Sequence, residues 1–329
     1  MAKVVQFHEL GDPDVLKVED IDVRAAREGE VRIKVKAIGL NRAESMFRSG
    51  MYIVGPSFPS GIGYEAAGSI ESIGVGVKGL AVGDAVSVIP AFSMNDYGMH
   101  GELVVTPAFA VVKHPENLSW EEAAATCMQY STAYGALIER AHLTKGDYLV
   151  IQAASSSVGL AAIQVANAVG AIPIALTRGE DKRVSLLDAG AAHVIATNTQ
   201  DIVSEVKRIT NGKGARVTFD PVGGPNFGKL IKAASVNGIL IAYGALSTEV
   251  TPLSFLDVFD KALTIKGYQL FELTTDLVAI ERVKKFIIDG LVSGSLKPLI
   301  AKTFPLEEIV EAHRYLESNQ QLGKIVVTI

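Results

Sequence analysis

"YLVIQAASSSVGL", residues 148–160, joins a strand-like apolar run to a turn of small residues and the start of a helical pattern. In a dinucleotide-binding unit, such a turn leads into a helix whose N-terminal N–H groups hold a pyrophosphate. Against the spacing G-x-G-x-x-G, the three glycine positions are taken by Ala154, Ser156 and Gly159. Only the third is glycine, the one that allows close packing of helix on sheet. Taken alone, the stretch fits either a phosphate-binding turn or a helix capped by Ser155 or Ser156 with no cofactor.

Strands and helices alternate in the sequence around this turn. Gly170, Gly190 and Gly212 stand where three of the helices are expected to end. Short apolar strands that alternate with helices predict an α/β fold with a parallel sheet covered on both faces. The predicted strands are YLVIQAA, IPIALT, HVIAT, RVTFD and GILIAYG, and the predicted helices are 157–169, 180–189, 200–210 and 224–235.

The segments on either side of this region are β-rich. Runs such as EVRIKVKAIGL and GDAVSVIP are separated by Gly and Pro turns, and β-like patterning returns after about residue 265. A chain of 329 residues is also too long for one compact core. We therefore predict a β-rich domain formed by residues 1–122 and 266–329, with an α/β domain of residues 123–265 inserted into it.

Composition narrows the function classes. The net charge of −5 disfavours a nucleic-acid or anionic-membrane protein, because there is no surplus of Lys and Arg to meet phosphates. A single cysteine, Cys127, excludes an intrachain disulfide, and the six histidines show no ligand spacing. No signal-peptide pattern or run long enough to span a membrane is present, so a cytoplasmic location is expected.

The end of the second α/β strand bears on the choice of cofactor. An NAD site places an acidic residue there to accept from the ribose hydroxyls. Here IPIALT ends in Thr177, Arg178 and Gly179, and Lys182 follows about one helical turn later. Arg178 and Lys182 are suited to a 2′-phosphate, which favours NADPH over NADH. A solvated charged turn explains the same residues equally well.

Several motifs, in this order, resemble the medium-chain dehydrogenase/reductase superfamily, and specifically its zinc-free quinone oxidoreductase branch. The resemblance covers essentially the whole chain. It implies a GroES-like catalytic domain interrupted by a Rossmann domain, a homodimer, and a small-molecule substrate. The motifs are NRAESMFRSGMY, PSGIGYEAAGSIESIGVGVKGLAVGDAV, AAATCMQYSTAYGAL, ASSSVGLAAIQVANAVGA, FDPVGG and the final GKIVV.

The resemblance also locates where a catalytic zinc would be bound. Zinc alcohol dehydrogenases of this superfamily use a Cys, the His of a Gly-His-Glu triplet and a second Cys. The matching residues here are Asn41, Tyr64 and Met128, which are poor or weak Zn²⁺ ligands. Cys127 lies beside Met128, but one thiol cannot replace a three-ligand site. No metal is expected, and alcohol oxidation is disfavoured without a Lewis acid.

The resemblance implies roles for further residues. Asn41 and Tyr52 are expected beside the nicotinamide, where Asn41 is a catalytic candidate that bonds the nicotinamide ribose or the acceptor. Tyr52 or Tyr64 is expected to bond the acceptor oxygen or supply a proton; a buried structural tyrosine is the alternative for each. The implied cofactor-binding set is Asn41, Thr132, Ser155, Ser156, Ser157, Val158, Thr177, Arg178, Lys182, Gly244, Asn319 and Lys324.

The expected activity is NADPH-dependent reduction of quinones or related conjugated carbonyls. Two alternatives stay open: a 2-enoyl thioester or alkenal reductase, and an NADPH-binding protein without turnover.

Overall fold

A computed structural model describes all residues, 1–329. The chain forms two compact units, the first made of residues 1–129 with 273–329 and the second of residues 130–272. The two predicted boundaries, after residues 122 and 265, each lie seven residues before those of the structure.

The secondary structure comprises sixteen strands and eleven α-helices. The strands are β1 Ala2–Phe7, β2 Lys17–Ile21, β3 Glu30–Gly39, β4 Ser60–Gly61, β5 Ala66–Ile73, β6 Ala85–Val88, β7 Leu103–Pro107, β8 Val111–Lys113, β9 Tyr148–Ile151, β10 Ile172–Thr177, β11 His193–Ala196, β12 Ala215–Asp220, β13 Ala234–Ala242, β14 Thr264–Gly267, β15 Ile300–Pro305 and β16 Lys324–Thr328. The helices are α1 Arg42–Arg48, α2 Trp120–Ala124, α3 Cys127–Tyr134, α4 Ser157–Val169, α5 Arg183–Asp188, α6 Ile202–Ile209, α7 Asn226–Ala233, α8 Phe255–Asp260, α9 Phe271–Thr274, α10 Leu277–Ser293 and α11 Ile309–Glu317.

The second unit is a parallel sheet with helical connections. Its strand order is β11-β10-β9-β12-β13-β14, which is the doubly wound order in which the direction of winding reverses beside the first strand, β9. The strands are continuous apolar runs because both faces are covered; Val150, Ile174 and Leu240 are among the fully or almost fully buried residues of one core cluster. The predicted α/β class and Rossmann architecture are confirmed.

The first unit is built from antiparallel and mixed sheets. A three-stranded sheet has the order β2-β1-β4, and a seven-stranded sheet has the order β15-β16-β3-β5-β6-β8 with β7 paired to β3. Strand β16 lies antiparallel to β3, with Val326 opposite Gly39. Strand β3 belongs to the segment before the second unit and β16 to the segment after it. The seven-stranded sheet is therefore assembled from both segments of the first unit.

The predicted helix of residues 157–169 is reproduced as α4. Ser156 is its N-cap, and its C-cap Gly170 has the left-handed φ of +78° that favours glycine. The predicted helix of residues 180–189 differs, because residues Glu180–Lys182 form a 3-10 turn and the α-helix begins only at Arg183. No helix has the length and apolarity that a membrane span requires.

Candidate functional site

The turn between β9 and α4 leaves a helix N-terminus at the carboxyl end of the parallel sheet. Ala153 has a left-handed φ of +51°, which turns the chain out of the strand. Ser156 caps α4 by accepting a hydrogen bond from Gly159 N at 3.1 Å. The amides of Ser157 and Val158, in the first helical turn, have no carbonyl partner within the helix. These amides and the helix dipole suit an anion.

Gly159 explains how closely the helix approaches this turn. A Cβ at this position would lie 2.6 Å from both the Cα and the carbonyl oxygen of Ala154, closer than real contacts allow. Glycine at this position is therefore required for the close approach of α4 to the turn, and its predicted role in packing the helix on the sheet stays a prediction. The serines fill the more open positions, since Ser155, Ser156 and Ser157 are each only half-buried.

Basic side chains flank the turn from β10. Lys182 Nζ donates to Ser155 Oγ at 3.4 Å, so the structure brings these two predicted residues together. Burial lowers the pKa of Lys182, and the nearby Arg178 guanidinium acts in the same direction. Arg178 itself is exposed, directly after the buried Thr177. Two cations thus lie close to one another beside the capped helix end.

The same loop also carries two carboxylates, Glu180 and Asp181, beside the cations Arg178 and Lys182. The two carboxylates have different partners. Glu180 is held by Arg183, with Arg183 Nη2 and Glu180 Oε1 2.9 Å apart. The Arg183 hydrogen bond lowers the pKa of Glu180, which keeps that carboxylate ionised and paired. Asp181 attracts Lys182 electrostatically. The position directly after β10, where an NAD site places its carboxylate, is occupied by Arg178.

Two neighbouring strand ends contribute buried polar groups that the sequence analysis did not select. Gln152, directly after β9, has a buried side-chain oxygen without a hydrogen-bond partner. Asp220, at the end of β12, accepts from Val222 N at 2.7 Å, and burial raises its pKa to about 6. Their position at the carboxyl ends of adjacent parallel strands is the signal that could have identified them.

The end of β13 packs against the end of β12. The Tyr243 ring stacks on Phe219 with 3.9 Å between ring centroids, and burial raises the pKa of Tyr243 well above its usual range. A Cβ at Gly244 would lie 2.7 Å from the Pro221 carbonyl oxygen, so this predicted cofactor residue is needed for close backbone packing. Thr132 is buried in α3. Cofactor contacts by Gly244 and Thr132 stay predictions.

In the first unit, Asn41 lies at the centre of a buried polar network. Its Nδ2 donates to Gly39 O at 2.9 Å and to Glu44 Oε1 at 3.1 Å. Its Oδ1 accepts from Lys324 Nζ at 2.7 Å. Lys324 also donates to Glu65, whose other carboxylate oxygen accepts from Met128 N at 2.9 Å.

This network brings together two of the three positions that match zinc ligands. Asn41 Oδ1 accepts a hydrogen bond from the buried ammonium of Lys324, and the backbone amide of Met128 donates one to Glu65. Burial raises the pKa of Glu65, while Lys324 acts in the opposite direction. Burial also raises the pKa of Cys127 well above its usual value, so its thiol stays protonated and is a poor metal ligand.

The third such position, Tyr64, pairs with Tyr52. Burial raises the pKa of both phenols; their mutual hydrogen bond raises the pKa of Tyr64 and lowers that of Tyr52. One hydrogen bond between the two phenols uses only one of their two hydroxyl protons, which leaves the other for a further partner. The rings form a row with Phe92, with centroids 6.3 Å apart for Tyr52 and Tyr64 and 6.2 Å for Tyr64 and Phe92.

The loop that carries Tyr52 is apolar and open to solvent. Met51, Ile53 and Val54 are 64%, 71% and 52% exposed. Asn319, another predicted residue, has a left-handed φ of +58° and accepts from Arg42 Nη2 at 2.6 Å. Its predicted role, like that of Lys324, stays a prediction.

Comparisons with known proteins cover both units. Residues 27–116 match a family model described as the alcohol dehydrogenase GroES-like domain, and residues 157–285 match one described as zinc-binding dehydrogenase. The chain is 31% identical to quinone oxidoreductase 1 of Escherichia coli (strain K12), over 98% of each chain. It is 30% identical to 2-haloacrylate reductase of a Burkholderia species, over 99% of each chain.

A longer relative and a solved structure are also similar to this chain. The synaptic vesicle membrane protein VAT-1 homolog of Danio rerio is 31% identical over 92% of this chain, which spans 65% of that relative's length. The crystal structure of Escherichia coli quinone oxidoreductase complexed with NADPH has a TM-score of 0.90 and 29% identity, covering 99% of this chain and 100% of that one.

Proposed function

Because this chain belongs to the quinone oxidoreductase branch of the medium-chain dehydrogenase/reductase superfamily, we propose that it reduces quinones or related conjugated carbonyls with NADPH and without a catalytic zinc ion. The observation that carries the proposal is the chemistry at Asn41, Tyr64 and Met128. At Asn41 the side chain is an amide that is hydrogen-bonded to Lys324. At Tyr64 it is a phenol hydrogen-bonded to Tyr52, and at Met128 it is a thioether. These groups stand where metal ligands would be. Alcohol oxidation needs a Lewis acid to stabilise the alkoxide, whereas a conjugated acceptor spreads the incoming charge itself.

The turn before α4 and the basic pair after β10 support NADPH as the cofactor. The capped helix end suits the pyrophosphate, and Arg178 and Lys182 suit the 2′-phosphate as charge-assisted donors. The unpartnered oxygen of Gln152 offers a further acceptor at the same sheet edge. When bound, NADPH supplies a hydride; the residues of the chain hold and orient it.

Tyr52 is the residue we assign to the acceptor oxygen. The hydrogen bond between Tyr52 and Tyr64 leaves one hydroxyl proton of the pair for a carbonyl oxygen, and we assign this proton to Tyr52 because Tyr52 is only partly buried whereas Tyr64 is buried. The raised pKa keeps both phenols protonated near neutral pH. Tyr52 then acts as a hydrogen-bond donor that stabilises developing negative charge. Tyr64 is a positioning residue, and the exposed apolar side chains of Met51 and Ile53 suit an apolar acceptor.

A second candidate function is reduction of a conjugated carbon–carbon double bond. The observation that favours it is the 30% identity to 2-haloacrylate reductase. The same Tyr52 hydroxyl would serve, because reduction of an enone or enoyl group also places negative charge on the carbonyl oxygen. The acceptor that is turned over distinguishes the two candidates.

We further propose that the chain forms a homodimer through β14. This strand ends the parallel sheet and pairs on one side only, with β13, which leaves its outer edge for a second copy. The neighbouring helix α8 supports the proposal. Its Phe255, Leu256 and Phe259 side chains are 79%, 76% and 78% exposed, an apolar surface of the kind that marks an interface.

The function is tested by following NADPH absorbance at 340 nm with a panel of benzoquinones, naphthoquinones, enones, alkenals and enoyl thioesters. We expect turnover with the quinones. Preference for the enoyl compounds would favour the second candidate. Absence of turnover with every acceptor, together with NADPH binding seen by fluorescence, would contradict both and identify a protein that binds NADPH without turnover.

A further inference from the structure

Three buried side chains converge in the interior of the first unit, next to two of the residues matched to zinc ligands, Asn41 and Tyr64, which donate to Glu44. Glu44 lies on α1, His100 precedes β7 and His313 lies on α11, and all three are fully buried. Their potential ligand atoms all lie within 4.8 Å of one another. Glu44 Oε2 and His100 Nε2 are 3.6 Å apart, and the two imidazole centroids are 6.0 Å apart. The six histidines show no ligand spacing in sequence, yet the fold brings these two together.

Both imidazoles lack hydrogen-bond partners. The Nδ1 and Nε2 atoms of His100, and likewise those of His313, are buried without a hydrogen-bond partner; His100 Nε2 has only the electrostatic contact with Glu44 Oε2 at 3.6 Å. A buried polar group left unsatisfied destabilises the fold. An ion between the two rings would give one nitrogen of each imidazole a partner.

Glu44 is held in a fixed orientation beside them. Its carboxylate accepts from Asn41 N at 2.8 Å and from Tyr64 N at 3.2 Å. Metal-bound carboxylates are oriented by such outer hydrogen bonds. Gly63 provides the space for the ring of His100, because a Cβ there would lie 2.1 Å from the ring carbon Cδ2. The backbone is therefore shaped around this histidine.

The two nearby arginines each have acceptors, although the buried Nε of Arg48 has no hydrogen-bond partner. Arg48 is paired with Glu317 and donates to Gly11 O, and Arg42 donates to Leu316 O at 2.8 Å. The Glu44 carboxylate therefore remains as negative charge facing the two imidazoles. Two imidazoles and one carboxylate form a ligand set that binds Zn²⁺ and related divalent ions.

We propose that Glu44, His100 and His313 bind one divalent transition-metal ion of the Zn²⁺ type as a structural ion. The ion cross-links α1, α11 and the segment before β7. All three ligands are fully buried, so the ion is closed off from substrate; Glu44 joins it to Asn41 and Tyr64 by hydrogen bonds only. The site goes beyond the proposed function and does not depend on it.

The test measures metal content of the folded protein as it is produced. Because the site is buried, the ion must enter during folding, so cells are grown with added Zn²⁺ or, separately, Co²⁺. We expect about one ion per chain by mass spectrometry, and visible absorption between about 500 and 650 nm for the Co²⁺ protein from tetrahedral coordination by histidine nitrogens. His313→Leu should lower the metal content at least tenfold, whereas His8→Gln, at an exposed histidine, should not.

Two results would overturn the proposal. The first is a wild-type protein that circular dichroism shows to be folded, but that carries less than about a tenth of an ion per chain and lacks the Co²⁺ absorption. The four nitrogens are then satisfied by water. The other is full metal content in a folded His313→Leu variant, since the ion then lies elsewhere. The wild-type Co²⁺ spectrum decides the question if the variant does not fold.

Discussion

Lys324 Nζ and Asn41 Oδ1 lie 2.7 Å apart, although 283 residues separate them in the chain. The same ammonium donates to the fully buried Glu65. Removing one partner of a buried ion pair is more damaging than removing both, because the remaining charge is left in a medium that cannot solvate it. This gives a prediction about stability.

Lys324→Met is expected to lower the free energy of unfolding by about 3–5 kcal/mol, because it leaves Glu65 buried and unpaired. The double variant Lys324→Met, Glu65→Met should recover most of this loss. Chemical denaturation measures both. Lys302→Met, at an exposed lysine, is the matched control and should change little. A single variant as stable as the wild type would show that the pair is not needed.

Tyr52→Phe is expected to lower kcat about 100-fold, with a smaller change in KM, because the lost hydrogen bond acts on charge that develops during the reaction. Steady-state kinetics with a quinone measure both constants. Tyr64→Phe should have a weaker effect, since it removes only the bond that orients Tyr52. Tyr97→Phe, at a tyrosine that bonds Glu30, is the control. Equal losses in all three variants would contradict the assignment to Tyr52.

The same phenols predict a pH profile. Burial raises the pKa of Tyr52 and Tyr64 above the ordinary value of 10, so neither hydroxyl ionises below that pH. We expect kcat with the wild-type enzyme to show no loss from tyrosine ionisation between pH 7 and about 9.5. A fall in that range that disappears in Tyr52→Phe would mean that Tyr52 ionises there.

Arg178→Ala is expected to raise the KM for NADPH about 10- to 100-fold and to leave the KM for NADH nearly unchanged, because a charge-assisted hydrogen bond contributes about 1.5–3 kcal/mol. Lys182→Ala should act in the same direction. Arg208→Ala, at an exposed arginine paired with Glu205, is the control. Equal effects on both cofactors would show that Arg178 does not contact the 2′-phosphate.

Glu30 predicts how acid affects the first unit. The Arg24 guanidinium lowers its pKa from 4.5 to about 2, with Arg27 N and Tyr97 also donating. A lowered carboxyl pKa stabilises the fold above pH 4.5, and this contribution is lost as pH falls towards 2. Glu30→Gln should therefore cost about 2 kcal/mol at pH 7, after allowance for the exposed Arg24, and almost nothing near pH 2. Denaturation at several pH values measures the difference, with exposed Glu28→Gln as control. A constant difference would contradict the titration of Glu30.

Phe259→Asp in α8 is expected to convert the proposed homodimer into a monomer, because it places a charge in the apolar surface beside β14. Light scattering after size exclusion measures the mass. Val292→Asp, at a valine of α10 that is 70% exposed, should leave the mass unchanged. A wild-type monomer at micromolar concentration would contradict the dimer itself.

The sequence predicted the α/β architecture well because local patterns specify it. IPIALT occupies β10 from its first residue to its last, and Ser156 caps α4 because the turn and the helix are both local structures. The closeness of Ser155 and Lys182 followed from the rule that carboxyl ends of parallel strands meet at one edge. Sequence could therefore place this part of the candidate site.

Other contacts could not be predicted, since they join distant segments through packing alone. Lys324 Nζ is hydrogen-bonded to Asn41 and Glu65, two contacts that no sequence pattern indicates, and its role at the cofactor stays a prediction. The convergence of His100 and His313 depends on how α11 lies on the rest of the first unit, and no periodicity encodes that. The pairing of Tyr64 with Tyr52 likewise requires coordinates.

The pairing of β3 with β16 also sets the order in which the chain can fold as it is synthesised. The whole second unit, residues 130–272, leaves the ribosome before β16 exists. Domains generally fold as units during synthesis, so the parallel sheet can form while β3 still lacks its neighbour. During that interval, residues 37–39 of β3 have no β16 to pair with, and the side chains of Asn41 and Glu65 lack their hydrogen-bond partner Lys324. The first unit therefore completes its seven-stranded sheet only after the second unit has been synthesised.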